Sequence, residues 1–569
     1  MPAPLSVSAV VARVLAAYVT DCFGVMGNGN AYLLDALFDE RAAGPRVRYT
    51  AVRHEAGAVV AADAYYRASG RLAVATATYG AGFTNMLTPL AEAVRARTPL
   101  LLVVGDAPTS GARAWDVDQP AIAAAAGAVT FVVERDDAAA TTTRAIQHAL
   151  SHRTAVVLAI PYDLAAAGTG RHSATGAGAR ADAEAGPDAG AGPVEVVGPL
   201  VPDAVELDAV AGLLAGARRP FLLAGRGAWL ADAGDALGAL ADATGAVTAS
   251  TALGRGVFPR TGYDLGVTGG FGQEAAMALV READVAVVFG ASLNQFTTRF
   301  GALFGPHTRV VQIDVGAGAT DRVVTDYIAG DARLAATTLG ELLRARSAAP
   351  SGWRESVDFA PLRRREPGGA VAADGRLDPR SVAARIAELL PDDRVVVSDG
   401  GHFIGWANMY WPVASPDRMI MVGTAFQSIG LGFASVPGAA AARPESTVVL
   451  TTGDGGALMA MADLESAVRI AGGRGLVVVW NDTAYAAEVN LYGLKGLAQQ
   501  PMRIPEVDFA AVARGFGAEG VVVRALDDLD ALRVWAAKPP AQRAFLLLDC
   551  RVSPHVIAPY QREIIAANT

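Results

Sequence analysis

The chain has 569 residues, of which 52% are hydrophobic and 18% charged, with a formal net charge of −9. That length exceeds what one core can organise and points to three or four globular domains, while the acidic balance leaves no basic face for nucleic acid. Two cysteines, Cys22 and Cys550, are too few for a disulfide framework or a zinc site, so a reducing cytoplasm is the expected compartment. No apolar run approaches the ~18 residues of a membrane span, so no membrane association is expected.

The opening MPAPLSVSAVVARVLAAY lacks a basic leader and reads as a helix rather than a signal peptide. From there short Val/Leu/Ala runs alternate with Ala-rich helical stretches, the pattern of parallel-sheet α/β domains. Strand ends are legible at 100–105, 155–160, 220–225, 285–290, 310–314, 395–399 and 545–549. Two stretches interrupt the rhythm. Residues 166–199 are almost all Ala, Gly, Asp, Thr and Pro and read as a flexible linker; residues 347–377 are charged and Pro/Gly-rich and read as a second linker. The expected architecture is therefore α/β, with three parallel-sheet domains at 1–165, 200–346 and 378–552 and a C-terminal tail at 553–569.

In the first block, Asn28 and Asn30 lie in a Gly-rich turn, FGVMGNGNAYLLDAL, where αL turn roles are the plain reading. Glu55 opens an Ala-rich helix directly after an apolar strand; on position alone it is a cap favoured by the helix dipole. The middle block carries Ala224-Gly225-Arg226-Gly227, Gly269-Gly270-Phe271-Gly272, Gly290-Ala291-Ser292 and a strand-end Asp314. Such isolated glycine clusters are weak signals of a nucleotide, and no strand leads into an in-register GxGxxG with an acid ~20 residues on, which argues against a nicotinamide oxidoreductase.

The third block holds the densest signal, VVLTTGDGGALMAMADLESAVRIAGGRGLVVVWND. An apolar run ends in Gly453-Asp454-Gly455-Gly456; an amphipathic helix follows, then a second apolar run ending in Asn481-Asp482. A strand, a helix and a parallel strand place both strand ends on one sheet edge, where open α/β sheets bind ligands. Asp454 and Asn481 therefore meet, and a carboxylate with an amide oxygen suits Mg²⁺ or Ca²⁺ shared with a diphosphate. Gly455 and Gly456 bring no side chain between a phosphate and the N–H groups at the helix start.

This constellation resembles the diphosphate-binding motif of thiamine-diphosphate enzymes, a GDG followed some 25 residues later by Asn. The resemblance extends through essentially the whole chain: FGVMGNGNAYLLDAL, RHEAGAVVAADAYYRASG and TYGAGFTNMLTPLAEAVRARTPLLLVVGD follow the pyrimidine-binding domain of the acetolactate synthase, 2-oxo acid decarboxylase and benzaldehyde lyase group. It implies that Asp454, Asn481 and the Thr483 carbonyl hold Mg²⁺, and that Glu55 is the acid protonating the pyrimidine nitrogen of the cofactor, with Asn85 beside it. Gly401 and His402, in DGGHF, would lie against the diphosphate. Gln427 would accept from the 4′-amino group through its backbone carbonyl, and Ile429 would force the bent cofactor shape. Ile429 is expected to be buried whether it serves the cofactor or a core.

The resemblance further implies a dimer, or a dimer of dimers, in which the glutamate-bearing domain of one chain completes the site of the other. It implies a small-molecule substrate, and a middle domain that holds FAD in acetolactate synthases and nothing in many relatives; an empty site is the expectation here. Departures concern the substrate. Tyr79-Gly80-Ala81-Gly82-Phe83 replaces the usual Ser-Gly-Pro-Gly, and Trp115-Asp116-Val117-Asp118-Gln119 stands where acetolactate synthases carry Phe-Gln. Asn28, Tyr79 and Asp116 are substrate-pocket candidates, and His402 and Glu488 are candidate acid/base groups, with a solvated helix-start glutamate as the plain alternative for Glu488. The expected activity is cleavage and formation of C–C bonds next to a carbonyl on a small 2-oxo acid, acetolactate synthase-like. The alternatives are a non-ligating decarboxylase, a 2-hydroxy ketone or acyl-CoA lyase, and a non-catalytic homologue.

Overall fold

A computed structural model describes residues 5–38, 46–169 and 198–568. It contains three six-stranded sheets in which every strand pairing is parallel. The first comprises β1 (Asp21–Gly24), β2 (Arg48–Ala51), β3 (Val74–Ala77), β4 (Leu100–Asp106), β5 (Val129–Val132) and β6 (Ala155–Pro161), ordered β2-β1-β3-β4-β6-β5. The second comprises β7 (Pro220–Ala224), β8 (Val247–Ser250), β9 (Asp264–Val267), β10 (Val285–Phe289), β11 (Arg309–Asp314) and β12 (Asp326–Ala329), ordered β12-β11-β10-β7-β8-β9. The third comprises β13 (Arg394–Ser398), β14 (Met419–Ile420), β15 (Thr447–Gly453), β16 (Gly475–Asn481), β17 (Glu519–Val523) and β18 (Leu546–Arg551), ordered β14-β13-β15-β16-β18-β17. The first and third sheets thus repeat one topology. The second has the order of doubly wound dinucleotide-binding domains.

The central strands read as unbroken apolar runs because helices cover both faces of a parallel sheet. The helix Glu55–Ser69 has no exposed face over residues 57–68, all of which are buried; its two charged residues there, Asp63 and Arg67, are paired with each other. His54 caps its start through Nδ1, and Gly70, at φ 70°, ends it. It lies against the helix Gly432–Ala442 of the third domain. A Cβ on Gly438 would stand 1.9 Å from the Ala61 carbonyl oxygen, so only glycine allows that approach. The first and third domains of one chain therefore share a continuous apolar core.

The glycine clusters of the middle domain serve its own packing. Gly225 and Gly227 press against the Gly290 backbone, where a Cβ would come within 2.5 and 2.8 Å. Asp314 caps its own loop, accepting the Gly316 N–H at 2.9 Å. The stretch 347–377, read from sequence as a linker, is in part built into this domain: Trp353 and Phe359 are buried in its core. Most of the other expected linker, residues 170–197, lies outside the described residues. The expected tail instead contains the helix Pro559–Asn568, seated between domains. Tyr560 packs edge-on against Phe271 and Phe296 of the middle domain, and Arg299 pairs with Glu563. Among the described residues no helix is long and apolar enough to cross a membrane.

Candidate active site

In the third sheet the chain order reverses between β13 and β15; the loops after these strands carry Gly401, His402 and Asp454, while Gln427 and Ile429 follow β14 and Asn481 ends β16. Gly453 is in register with Trp480 on β16, which sets Asp454 opposite Asn481. Both are buried, at 2% and 1% exposure. Each has one satisfied and one bare end. Asp454 Oδ1 accepts the Gly455 N–H at 2.8 Å, and Asn481 Nδ2 donates to Asp549 Oδ1 at 2.9 Å and to the Val507 carbonyl at 3.2 Å. Asp454 Oδ2 and Asn481 Oδ1 have no hydrogen-bond partner. An unmade bond on a buried polar atom costs about 1–3 kcal/mol, so two such oxygens on adjoining strand ends fit a hard cation.

The electrostatics agree. Burial pushes the Asp454 carboxyl up to about 6, against the pull of the Gly455, Thr483 and Ala484 N–H groups, and burial with the Asp454 charge raises Asp482 well above the carboxylate range. A cation would supply the missing compensation. Thr483 adopts φ 60°, a strained geometry for a branched residue, and its carbonyl accepts the Ile504 N–H at 2.9 Å, leaving one lone pair free. Among the described residues no cluster of three or more His, Cys, Asp or Glu side chains could hold a metal alone. A metal here would take its further oxygens from backbone and ligand.

The single helix expected after Gly456 is two, Asp454–Met459 and Met461–Ala471. The glycines also answer to the protein: Cβ atoms at 453, 455 and 456 would meet Phe403 at 2.8 Å, Tyr485 at 2.5 Å and Asp399 Oδ2 at 2.6 Å. Asp399, which carried no separate role in the sequence reading, organises this edge. Its Oδ1 accepts from Gly400, Gly430 and Leu431, and its Oδ2 from Thr452 Oγ1. It thereby ties the 423–430 loop to β15. In that loop Gln427 has φ 58°, and Ile429 is 37% exposed. The expectation that Ile429 would be buried in either role is thus corrected: it lies beside Gly400 but is partly open in the single chain.

His402 is buried, and its Nε2 accepts the Ala558 N–H at 3.2 Å. Tyr560 Oη donates to its carbonyl. Burial holds its ring down at about 4, hence neutral. Gly401 adopts φ 137°, a conformation open to glycine. Glu488 is exposed at the end of the short helix Ala486–Glu488.

The first sheet brings together its own set. Asn85 Nδ2 donates to Glu55 Oε2 at 2.9 Å, so the two residues assigned to the pyrimidine are neighbours, with Gly82 alongside. At the switch point between β1 and β3, Asn28 Nδ2 donates to Tyr79 Oη at 3.0 Å, while Asn30 is spent on Gly27, Val25 and Thr76. Tyr79 is covered by Arg113, whose guanidinium carbon lies 4.2 Å from its ring centroid and 4.8 Å from that of Tyr162. Asp116 grips Arg113 in a bidentate pair; that bond holds its carboxyl below the usual range and suits it to bracing, not proton transfer. Gln119, in the stretch that departs from acetolactate synthases, is buried and fixes the Gly80 N–H at 2.7 Å and the Gly105 carbonyl at 2.9 Å. Arg113 was not singled out from sequence, and Gln119 was quoted only as part of the departing stretch, without a role.

Comparison with known proteins agrees with this geometry. The N-terminal TPP binding, central and C-terminal TPP binding domains of thiamine pyrophosphate enzymes match residues 5–126, 207–340 and 399–550. The chain is 27% identical to a sulfoacetaldehyde acetyltransferase of Castellaniella defragrans, over 92% of this chain and 88% of that protein. It is also 27% identical to an acetolactate synthase of Mycobacterium leprae, over 89% and 81%. Its fold matches the thiamine diphosphate-dependent 4-hydroxybenzoylformate decarboxylase of Rhodococcus jostii RHA1, with a TM-score of 0.76 at 21% identity, covering 96% of this chain and 99% of that one. Sequence, sheet topology and site agree: the chain belongs to the thiamine pyrophosphate enzymes.

Proposed function

We propose that this protein is a Mg²⁺- and thiamine-diphosphate-dependent carboligase that takes a small 2-oxo acid as donor, working as a homodimer or a dimer of dimers. The observation that carries the reading is the pair of bare, buried oxygens, Asp454 Oδ2 and Asn481 Oδ1, at adjoining strand ends. When bound, thiamine diphosphate supplies a nucleophilic carbon and an electron sink for the bond next to a carbonyl. The chain supplies the rest. Asp454, Asn481 and the remaining lone pair of the Thr483 carbonyl would hold the metal, with Asp549 fixing the Asn481 amide. Glu55, steadied by Asn85, would hold a proton at the pyrimidine ring nitrogen. Gln427 and Ile429 would orient the ring from the loop that Asp399 ties down.

The preference for carboligation over simple decarboxylation rests on the similar curated proteins, which include acetolactate synthases of several organisms and an acetyltransferase. A dimer is supported by large apolar side chains left open near the clamp in a single chain, among them Phe426, Ile429, Leu458 and Met459, since such a patch marks an interaction surface. The reading is tested by incubating the loaded protein with a panel of 2-oxo acids and aldehydes and identifying products by mass spectrometry. A ligated hydroxy ketone or hydroxy acid is expected; aldehyde alone would assign a decarboxylase. Glu55→Gln should keep cofactor affinity while C2 proton exchange of the bound cofactor, followed by NMR, slows by about 10²–10⁴-fold. Equal exchange would return Glu55 to a helix cap.

A further inference from the structure

We infer that Glu92, with Arg67, is a positioning residue for the cofactor site, acting from the first domain on the loop of the third domain that presents Gln427 and Ile429. Glu92 is fully buried in the helix Leu87–Arg95. One carboxylate oxygen accepts the Phe426 N–H at 2.6 Å. The other accepts Arg67 Nη2 at 3.1 Å. Arg67 is gripped by Asp63 at 2.6 and 3.0 Å and donates through Nη1 to the Met421 carbonyl at 2.8 Å. The ion network of the first domain thus holds both flanks of the 422–425 turn, through the carbonyl of 421 and the N–H of 426.

The residue directly after the gripped N–H is Gln427, in the left-handed region at φ 58°. A non-glycine residue stays there only where its surroundings over-determine it, at a cost of about 1–3 kcal/mol. The Glu92 carboxylate is the charged acceptor next to that strained position, and Asp399 secures the far side at Gly430 and Leu431. Between these two anchors the loop has little freedom to let the Gln427 carbonyl turn away. The Glu92 carboxylate accepts from both the Arg67 guanidinium and the Phe426 N–H, and a hydrogen bond to a charged group is roughly twice as strong as a neutral one. The inference rests on the proposed cofactor role of Gln427, but the grip itself is a property of the cofactor-free protein.

Hydrogen–deuterium exchange of the full-length apo-protein, read by mass spectrometry, tests it. In the wild type, the peptide containing Phe426 should be protected although it forms a turn; protection no better than an open loop overturns the inference. In Glu92→Ala, exchange across 421–430 should rise by about 10- to 100-fold, the loss expected for a charged hydrogen bond, while β15 and the helix Glu55–Ser69 keep their protection. Thiamine diphosphate affinity with Mg²⁺, measured by calorimetry, should fall at least tenfold. Glu92→Gln, which retains an acceptor oxygen, should restore most of both. If all segments of Glu92→Ala loosen together and Glu92→Gln rescues neither readout, Glu92 is a general brace and the positioning role fails. A wild type with a protected loop that binds no thiamine diphosphate would sink the functional reading and leave the grip intact.

Discussion

Residue by residue, the site is built from groups held in states they would not choose in water. His402 shows this most simply. Burial alone pulls its ring from 6.5 down to about 4, and its Nε2 is occupied by the Ala558 N–H. A group whose folded value is depressed contributes stability that is present above the unfolded value and is lost as pH falls through the folded one. Buried carboxylates such as Asp454, whose values are raised, act in the opposite direction, so the His402 contribution is read as a difference: between pH 6.5 and 4 the apo-protein should lose melting temperature relative to His402→Gln. An NMR titration should place the His402 midpoint near 4. A midpoint near 6.5 would put the ring in solvent and restore it as an acid/base candidate at neutral pH.

At the scale of elements, small residues decide how closely helices and loops approach. Gly438 lets the helix Gly432–Ala442 touch the helix Glu55–Ser69, where a Cβ would stand 1.9 Å from the Ala61 carbonyl. Gly438→Val should cost at least 1–3 kcal/mol, the range for an overpacked core, read as a lower midpoint in chemical denaturation. An unchanged midpoint would mean that the two helices part without cost. The strands were legible from sequence because buried parallel strands are unbroken apolar runs, and 285–290 or 395–399 differ from the observed ends by one residue. The meeting of Asp454 and Asn481 at adjoining strand ends was legible because strand-end motifs are local. What escaped has a common cause. Glu92 meets Phe426 across 334 positions of sequence, Arg113 stacks on Tyr162 from a distant strand end, and the helix Pro559–Asn568 owes its place to partners in two other domains. Such roles belong to tertiary packing and leave no periodicity to read.

For the whole molecule, the repeated topology of the first and third sheets places two switch points in one chain, one carrying Asn28 and Tyr79 and the other Asp454 and Asn481. Light scattering at assay concentration should give a dimer or a tetramer, because the apolar surface around Phe426 and Ile429 is expected to be covered by a partner; a fully active monomer would refute that. Asp454 and Asn481 are expected to anchor a metal–diphosphate. Calorimetric titration of the assembled apo-protein with thiamine diphosphate in the presence and absence of Mg²⁺, compared with Asp454→Ala, tests it most directly. Tight binding that requires Mg²⁺ in the wild type and is abolished in the variant is the predicted result. Equal binding by both proteins would contradict it and place the cofactor, if one binds, at a different edge of the fold.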